Sequence, residues 1–191
     1  MAGKQAKILN DKQLAALLAY ASKTRYPVRN RVIVLLSVKA GLRAGEIAKL
    51  TWDMVLDPSG QLSAVIELRD WAAKKNSGRT IPLHGDLAAA LGSWMIETLS
   101  AGPVIRSERG GPMTPLSIVN WFKTAYQCVS LAGCTSHSGR RTFITRAARL
   151  VHKAGGSLRD VQLLAGHRSI QTTQRYIDGD SEAQRRLVSL I

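Results

Sequence analysis

A mixed α+β domain, mostly helical with one small antiparallel sheet, is the fold class this sequence predicts, and three observations predict it. Apolar residues recur at helical spacing in one segment after another, between residues suited to start and stop helices. Residues 54–83 break that rhythm, with two β-type runs flanking a polar, basic segment. The 191 residues, 45% of them hydrophobic, contain no repeat, low-complexity run or linker that would divide them. They are therefore read as one domain over 1–191, long enough to bury a sizeable core.

In chain order, Asn10 or Asp11 caps a first helix with Leu14, Leu17 and Leu18 on one apolar face. Pro27 interrupts, and a second helix runs over 28–40 with Ile33, Leu36 and Val38 among its buried residues. Gly41 ends it, and 42–50 reads as a short third helix. The runs 62–68 and 79–83 flank DWAAKKNSG, which predicts a hairpin with a basic turn. Helices follow over 86–99, 115–131, 139–153, 157–165 and 170–178, and 100–113, with its glycines and prolines, is a loop. A last amphipathic segment, 181–191, sets Arg185 and Arg186 beside Leu187, Val188 and Leu190. Trp52, Trp71, Trp94 and Trp121 are expected in core or hairpin packing.

Lys and Arg number 27 against 13 Asp and Glu, a net charge of +14. A surplus that large on a small domain attracts polyanions, nucleic acid foremost, and its spread along the chain favours a folded surface over a tail. The longest apolar run, 32–36, is far shorter than the roughly 20 residues a membrane helix needs. The N-terminus has no apolar signal core, so a cytoplasmic protein is expected. Cys128 and Cys134 form no zinc pattern and no disulfide framework, and are expected as reduced packing residues.

Three segments carry chemistry: GLRAGEIAKL at 41–50, HSGRRTF at 137–143 and LLAGHRSIQTTQRYI at 163–177. In this order, with His167 nine residues before Tyr176, they resemble the tyrosine recombinase family, also called phage integrases, over about Lys7 to Tyr176. Singly, each residue has a plainer reading: Arg43 starts a helix near water, His137 and Arg140 cap one, Tyr176 packs in a core. The combination implies the tyrosine recombinase catalytic-domain fold and cleavage and rejoining of duplex DNA, without metal or cofactor, through a phosphotyrosyl ester.

The chemistry suits these residue types. Attack on a phosphodiester builds charge on its non-bridging oxygens, and the planar fork of Arg43 or Arg140 holds two oxygens at once. His137 and His167 donate or shuttle protons near neutral pH. Tyr176 is the nucleophile; a phenol with a pKa near 10 needs surrounding positive charge to attack. The resemblance also implies a hairpin lysine that protonates the leaving 5′ oxygen. Lys74 and Lys75 compete for that place, and the family spacing of eight residues before Pro82 selects Lys74. Glu46 matches the family's acidic position, orienting or buffering the arginines. Lys75, Arg79, Arg141 and Arg168 are expected to contact DNA.

Ser138 and Gly139 depart from the acidic or bulky residues common in the family between His137 and Arg140. Nothing in the chain corresponds to the N-terminal core-binding domain of many relatives. The resemblance further implies a homotetramer on DNA; the amphipathic pattern of 181–191 suits docking in trans on a neighbouring subunit or packing on its own domain, and without DNA a monomer is expected. Two other functions share features with this reading: a type IB topoisomerase-like strand transferase, and a DNA-binding regulator that no longer cuts.

Overall fold

The computed structural model describes residues 6–98 and 100–176 and, beyond them, residues 185, 188, 189 and 191. Its first helix, α1 (Asp11–Ala21), settles the capping alternative in favour of Asn10. The Asn10 side chain accepts the Gln13 N–H at 2.8 Å, and the Gln13 side chain accepts the Asn10 N–H at 3.0 Å. Helix α2 (Pro27–Lys39) starts on Pro27 instead of after it, because the first residue of a helix needs no N–H. All of 32–36 is at most 1% exposed. This stretch is apolar all round because α1, α4 and α6 pack about the helix.

The third helix, α3 (Ala44–Lys49), is shorter than the sequence suggested, since Leu42 and Arg43 stay outside it. A 3₁₀ turn at Trp52–Met54 leads into the hairpin. Strands β1 (Val65–Leu68) and β2 (Arg79–Pro82) are antiparallel, with Val65 opposite Pro82 and Leu68 opposite Arg79. Leu62 bridges back to Leu56 instead, which is why the first strand starts late. Ile66, Leu68 and Ile81 point into the core, and Pro82 is tolerated because both strands are edges.

Helix α4 (Gly85–Glu97) is capped by His84, and α5 (Pro115–Cys128) by Thr114. The connection between them threads Val104 and Ile105 through the core, where the Trp94 Nε1–H donates to the Val104 carbonyl at 2.7 Å. Trp52 and Trp94 are buried, Trp121 packs against the core, and Trp71 stands 53% exposed on the hairpin. Cys128 and Cys134 are free thiols, Cys134 half-buried but Cys128 exposed at the end of α5 instead of packed.

Helix α6 (Ser138–Leu150) lies close against α2 because Gly139 lacks a Cβ; one there would collide with Ser37. The departure at Ser138 and Gly139 thus has a packing cause, and Ser138 is itself fully buried. Helices α7 (Leu158–Ala165) and α8 (Ile170–Gln174) complete the fold. With α6 they enclose a second, smaller core of Ile144, Ala148, Val151, Val161 and Ala165, onto which Tyr176 packs. The helix expected over 170–178 ends at Gln174, and residues 177 and 178 lie outside the described residues. So do 181–184, 186, 187 and 190, and with them the expected segment 181–191 as a unit. Among the described residues no helix is long and apolar enough to cross a membrane.

Candidate active site

The site begins where α2 ends. Gly41 turns the chain at φ +65°, a conformation that costs glycine little, and the Phe143 ring occupies the space a Cβ would take. This turn delivers Arg43 to the start of α3, with Glu46 three residues on. Glu46 is 1% exposed, and its carboxylate accepts the Arg43 backbone N–H at 3.0 Å and the Arg43 Nη1 at 2.5 Å. It also accepts both ends of the Arg79 fork, Nη2 at 3.0 Å and Nη1 at 3.4 Å. Burial alone would raise the Glu46 pKa, but Arg79 and then Arg43 outweigh it and hold it at about 2. Arg79, expected to contact DNA, is instead only 5% exposed along its side chain. Its Nε–H donates to the Leu164 carbonyl at 2.8 Å, so its donors point inward.

Arg140 enters from the first turn of α6 and is 3% exposed. Its Nη1 donates to the Gly41 carbonyl at 2.6 Å and its Nη2 to the Ala165 carbonyl at 2.5 Å, the latter an orphan acceptor at the end of α7. Burial, and then Arg43 beside it, lowers its pKa to about 9, which leaves it cationic at neutral pH. Two of its five donor hydrogens remain free of these contacts and the one to His167.

His167 follows Gly166, whose φ of +61° ends α7. Its Nε2 lies 3.2 Å from Arg140 Nη2, and its Nδ1 lies 3.0 Å from the hydroxyl of the fully buried Thr173. Arginine cannot accept, so Nε2 carries the lone pair and Nδ1–H donates to Thr173. Burial first, then Arg140, Arg43 and Arg79, lowers the His167 pKa to about 4, in accord with a neutral ring. Gln162 secures the same residue by donating from Nε2 to its carbonyl at 2.9 Å. Burial and then Arg140, Arg43 and Lys74 also lower the His137 pKa.

Arg43, His137, Arg140, Arg141, His167 and Tyr176 line one cavity of about 600 Å³. The Tyr176 ring stacks on His167 at 5.5 Å between centroids, and Arg141 lies 5.9 Å from the tyrosine centroid. An adjoining recess is lined by Arg43 and His167 again, together with Lys74, Lys75 and Arg168 from outside the first. Lys74 and Lys75 stand exposed in the hairpin turn, where the Lys75 carbonyl accepts Arg168 Nη2 at 2.6 Å. Every predicted site residue is therefore in or beside the two recesses, with Arg79 and Glu46 beneath them. Thr173, Gln162 and the cavity-lining Arg175 were not singled out from the sequence. Thr173 sits within TTQRY and could have been suspected there, whereas nothing in the sequence marks Gln162. Among the described residues no cluster of three or more His, Cys, Asp and Glu could hold a metal ion. What the cavity offers is fixed cations, a neutral imidazole pair and a phenol.

Known proteins share this arrangement of elements. The crystal structure of XerA recombinase has a TM-score of 0.76 at 24% identity, covering 96% of this chain and 64% of that one. A lambda integrase dimer bound to a COC' core site has a TM-score of 0.71 at 21% identity, over 95% and 50%. The fold is thus that of tyrosine recombinase catalytic domains. In sequence, the tyrosine recombinase XerC of Myxococcus xanthus is 29% identical over 185 residues, 89% of this chain and 57% of the relative. XerC of Brucella suis biovar 1 is 30% identical over 159 residues, 81% and 47%. The profile of the phage integrase family matches residues 7–183, and the chain belongs to that family. It spans about half the length of the curated relatives it matches.

Proposed function

We propose that the chain is the catalytic domain of a site-specific recombinase that cleaves and rejoins duplex DNA through a 3′-phosphotyrosyl intermediate. The observation that carries this reading is the single cavity shared by Arg43, His137, Arg140, His167 and Tyr176. A scissile phosphate placed there meets the guanidinium of Arg43, which among the described residues is held through Nη1 by Glu46, and the remaining donors of Arg140. Donors fixed before the reaction stabilise the charge that grows on the non-bridging oxygens.

The Tyr176 oxygen attacks phosphorus, forming the phosphotyrosyl bond as the bond to the 5′ oxygen breaks. The phenol proton passes to His137, whose lowered pKa keeps it neutral and which lines the same cavity. Lys74, in the adjoining recess, gives its proton to the departing 5′ oxygen. Reversal with a new 5′ hydroxyl rejoins the strand, and because the ester keeps the bond energy no ATP is needed. Lys75, Arg141 and Arg168, on the rim, meet the neighbouring phosphates, so affinity falls steeply with salt. The working form is a tetramer on two DNA sites, and the free domain is a monomer.

A nicked suicide duplex carrying a recombination site, or a pool of genomic fragments, tests the reading. Wild type incubated with it in a chelator should give a protein–DNA adduct that survives denaturation, and Tyr176→Phe should give none. Tight, salt-sensitive binding by wild type with no adduct would instead mark a DNA-binding domain that does not cut.

A further inference from the structure

The turn that carries Lys74 has its buried attachments on either side of the lysine. Ala72 and Ala73 tuck into the core, the chain then emerges through Lys74, Lys75 and Asn76, and it returns at Arg79. Lys75 and Asn76 have φ of +59° and +51°, a left-handed excursion that side chains resist. Between these attachments the turn is held by exposed contacts: Arg168 on the Lys75 carbonyl, and the Asp70 carboxylate on the Gly78 N–H. Such contacts set position weakly.

Arg79 differs from them in kind. It is the first residue of β2, and its guanidinium reaches two other elements at once. Nη1 and Nη2 grip Glu46 on α3, the carboxylate that also holds Arg43, while Nε–H donates to the Leu164 carbonyl in the last turn of α7. The next carbonyl of that turn, Ala165, belongs to Arg140. Space for the fork comes from Gly166, where a Cβ would lie 2.9 Å from Arg79 Nη1 and 3.0 Å from its Cδ. One planar group therefore joins the Lys74 hairpin to the segment bearing Arg43 and to the one bearing His167.

We propose that Arg79 is a positioning residue that clamps the hairpin to α3 and α7 and so sets the reach of Lys74 toward the leaving oxygen. The inference rests on the recombinase reading above and adds a role to a residue whose side chain is turned inward, 5% exposed. Lysine in its place keeps a charge on Glu46 but has no fork, and cannot serve the carboxylate and the Leu164 carbonyl together. The clamp would loosen while the ion pair survives.

The test separates a misplaced acid from a damaged phosphate site. Two suicide substrates are compared, one ordinary and one with sulfur replacing the bridging 5′ oxygen at the scissile phosphate. In the second, Tyr176 still attacks phosphorus, but the P–S bond breaks and a thiolate leaves without a proton, since a thiol has a pKa near 8.5. On the oxygen substrate Arg79→Lys should form adduct about 10–100-fold more slowly than wild type. On the sulfur substrate most of that loss should be recovered, as it should for Lys74→Ala. Equal losses on both substrates, or no loss on either, would overturn the proposal. Arg79→Met, which leaves Glu46 with Arg43 alone, should show the same pattern more strongly where it folds; Arg79→Lys decides the matter if it does not. Wild type inert toward both substrates would remove the recombinase reading itself, a result distinct because no variant is involved.

Discussion

The buried floor of the site and its exposed rim are built differently. On the floor, Arg140, Glu46 and Thr173 are 3%, 1% and 0% exposed; Arg140 and Glu46 are tied to groups far away in sequence, and Thr173 to the His167 ring six residues before it. On the rim, Lys74 stands in an open turn, and Tyr176 follows the five-residue α8, of which only Thr173 is buried. The charges that would hold a phosphate are thus fixed before it arrives, while the proposed proton donor and nucleophile stand on more exposed segments, the hairpin held from beneath by Arg79. The proposed strand exchange would use both, because a donor set gains by being rigid whereas a nucleophile must engage and release a strand.

The strongest way to break this contrast is to remove its centre. Arg140→Met would leave the Gly41 and Ala165 carbonyls without their donor and cost about 2–5 kcal/mol of stability. Adduct formation should also fall by about 10²–10³-fold, the usual loss for one preorganised donor. Urea unfolding checks the first effect and the suicide substrate the second. A variant as stable as wild type would mean that Arg140 belongs to the rim in energetic terms, whatever its burial.

The same contrast explains what was legible in the sequence. Arg43, Glu46, His137, Arg140, His167 and Tyr176 lie in short segments whose order and spacing are informative, and chemistry restricts which residue types can serve. The helices were readable too, because caps such as Asn10 and apolar periods such as Leu14 and Leu17 are local. Arg79 was not. In the sequence it closes a basic turn and looks like a phosphate contact, yet its partners Glu46 and Leu164 lie 33 and 85 residues away. Its burial depends on three elements meeting, which no local pattern records. The loop over 100–113 hid Val104 and Ile105 in the core for a similar reason, its glycines and prolines marking turns and not depth.

Acid should probe the floor more gently. His167 is neutral with a pKa near 4, below the ordinary 6.5, so as pH falls through 6.5 the unfolded chain takes a proton that the folded one refuses. Stability from this residue is intact above pH 6.5 and declines toward pH 4, and His137 acts in the same direction. Glu46, held near 2, contributes stability above about pH 4.5 that is lost between there and pH 2. His167→Gln, which keeps a side-chain oxygen for Arg140, should flatten the upper window by about 1 kcal/mol, discounted because the ring is only half-buried. Chemical denaturation at pH 7, 5.5 and 4.5 measures it. An unchanged slope between the first two would show that another group dominates that range.

The smallest stability effect belongs to the rim, and it sharpens the comparison by being small. Lys74 is exposed and its ammonium has no hydrogen-bond or ion-pair partner among the described contacts, so Lys74→Ala should change unfolding free energy by no more than about 0.5 kcal/mol. Its effect on cleavage should nonetheless reach about 10²–10⁴-fold, the range for a positioned general acid. Lys75→Ala, beside it, should lower DNA affinity and the salt slope while sparing the cleavage rate of bound substrate. Were the two rates reversed, Lys75 would be the acid and the left-handed turn the device that presents it. A matched loss of stability and cleavage in Lys74→Ala would instead make the hairpin part of the floor, and the division between a buried phosphate site and an exposed acid would fail.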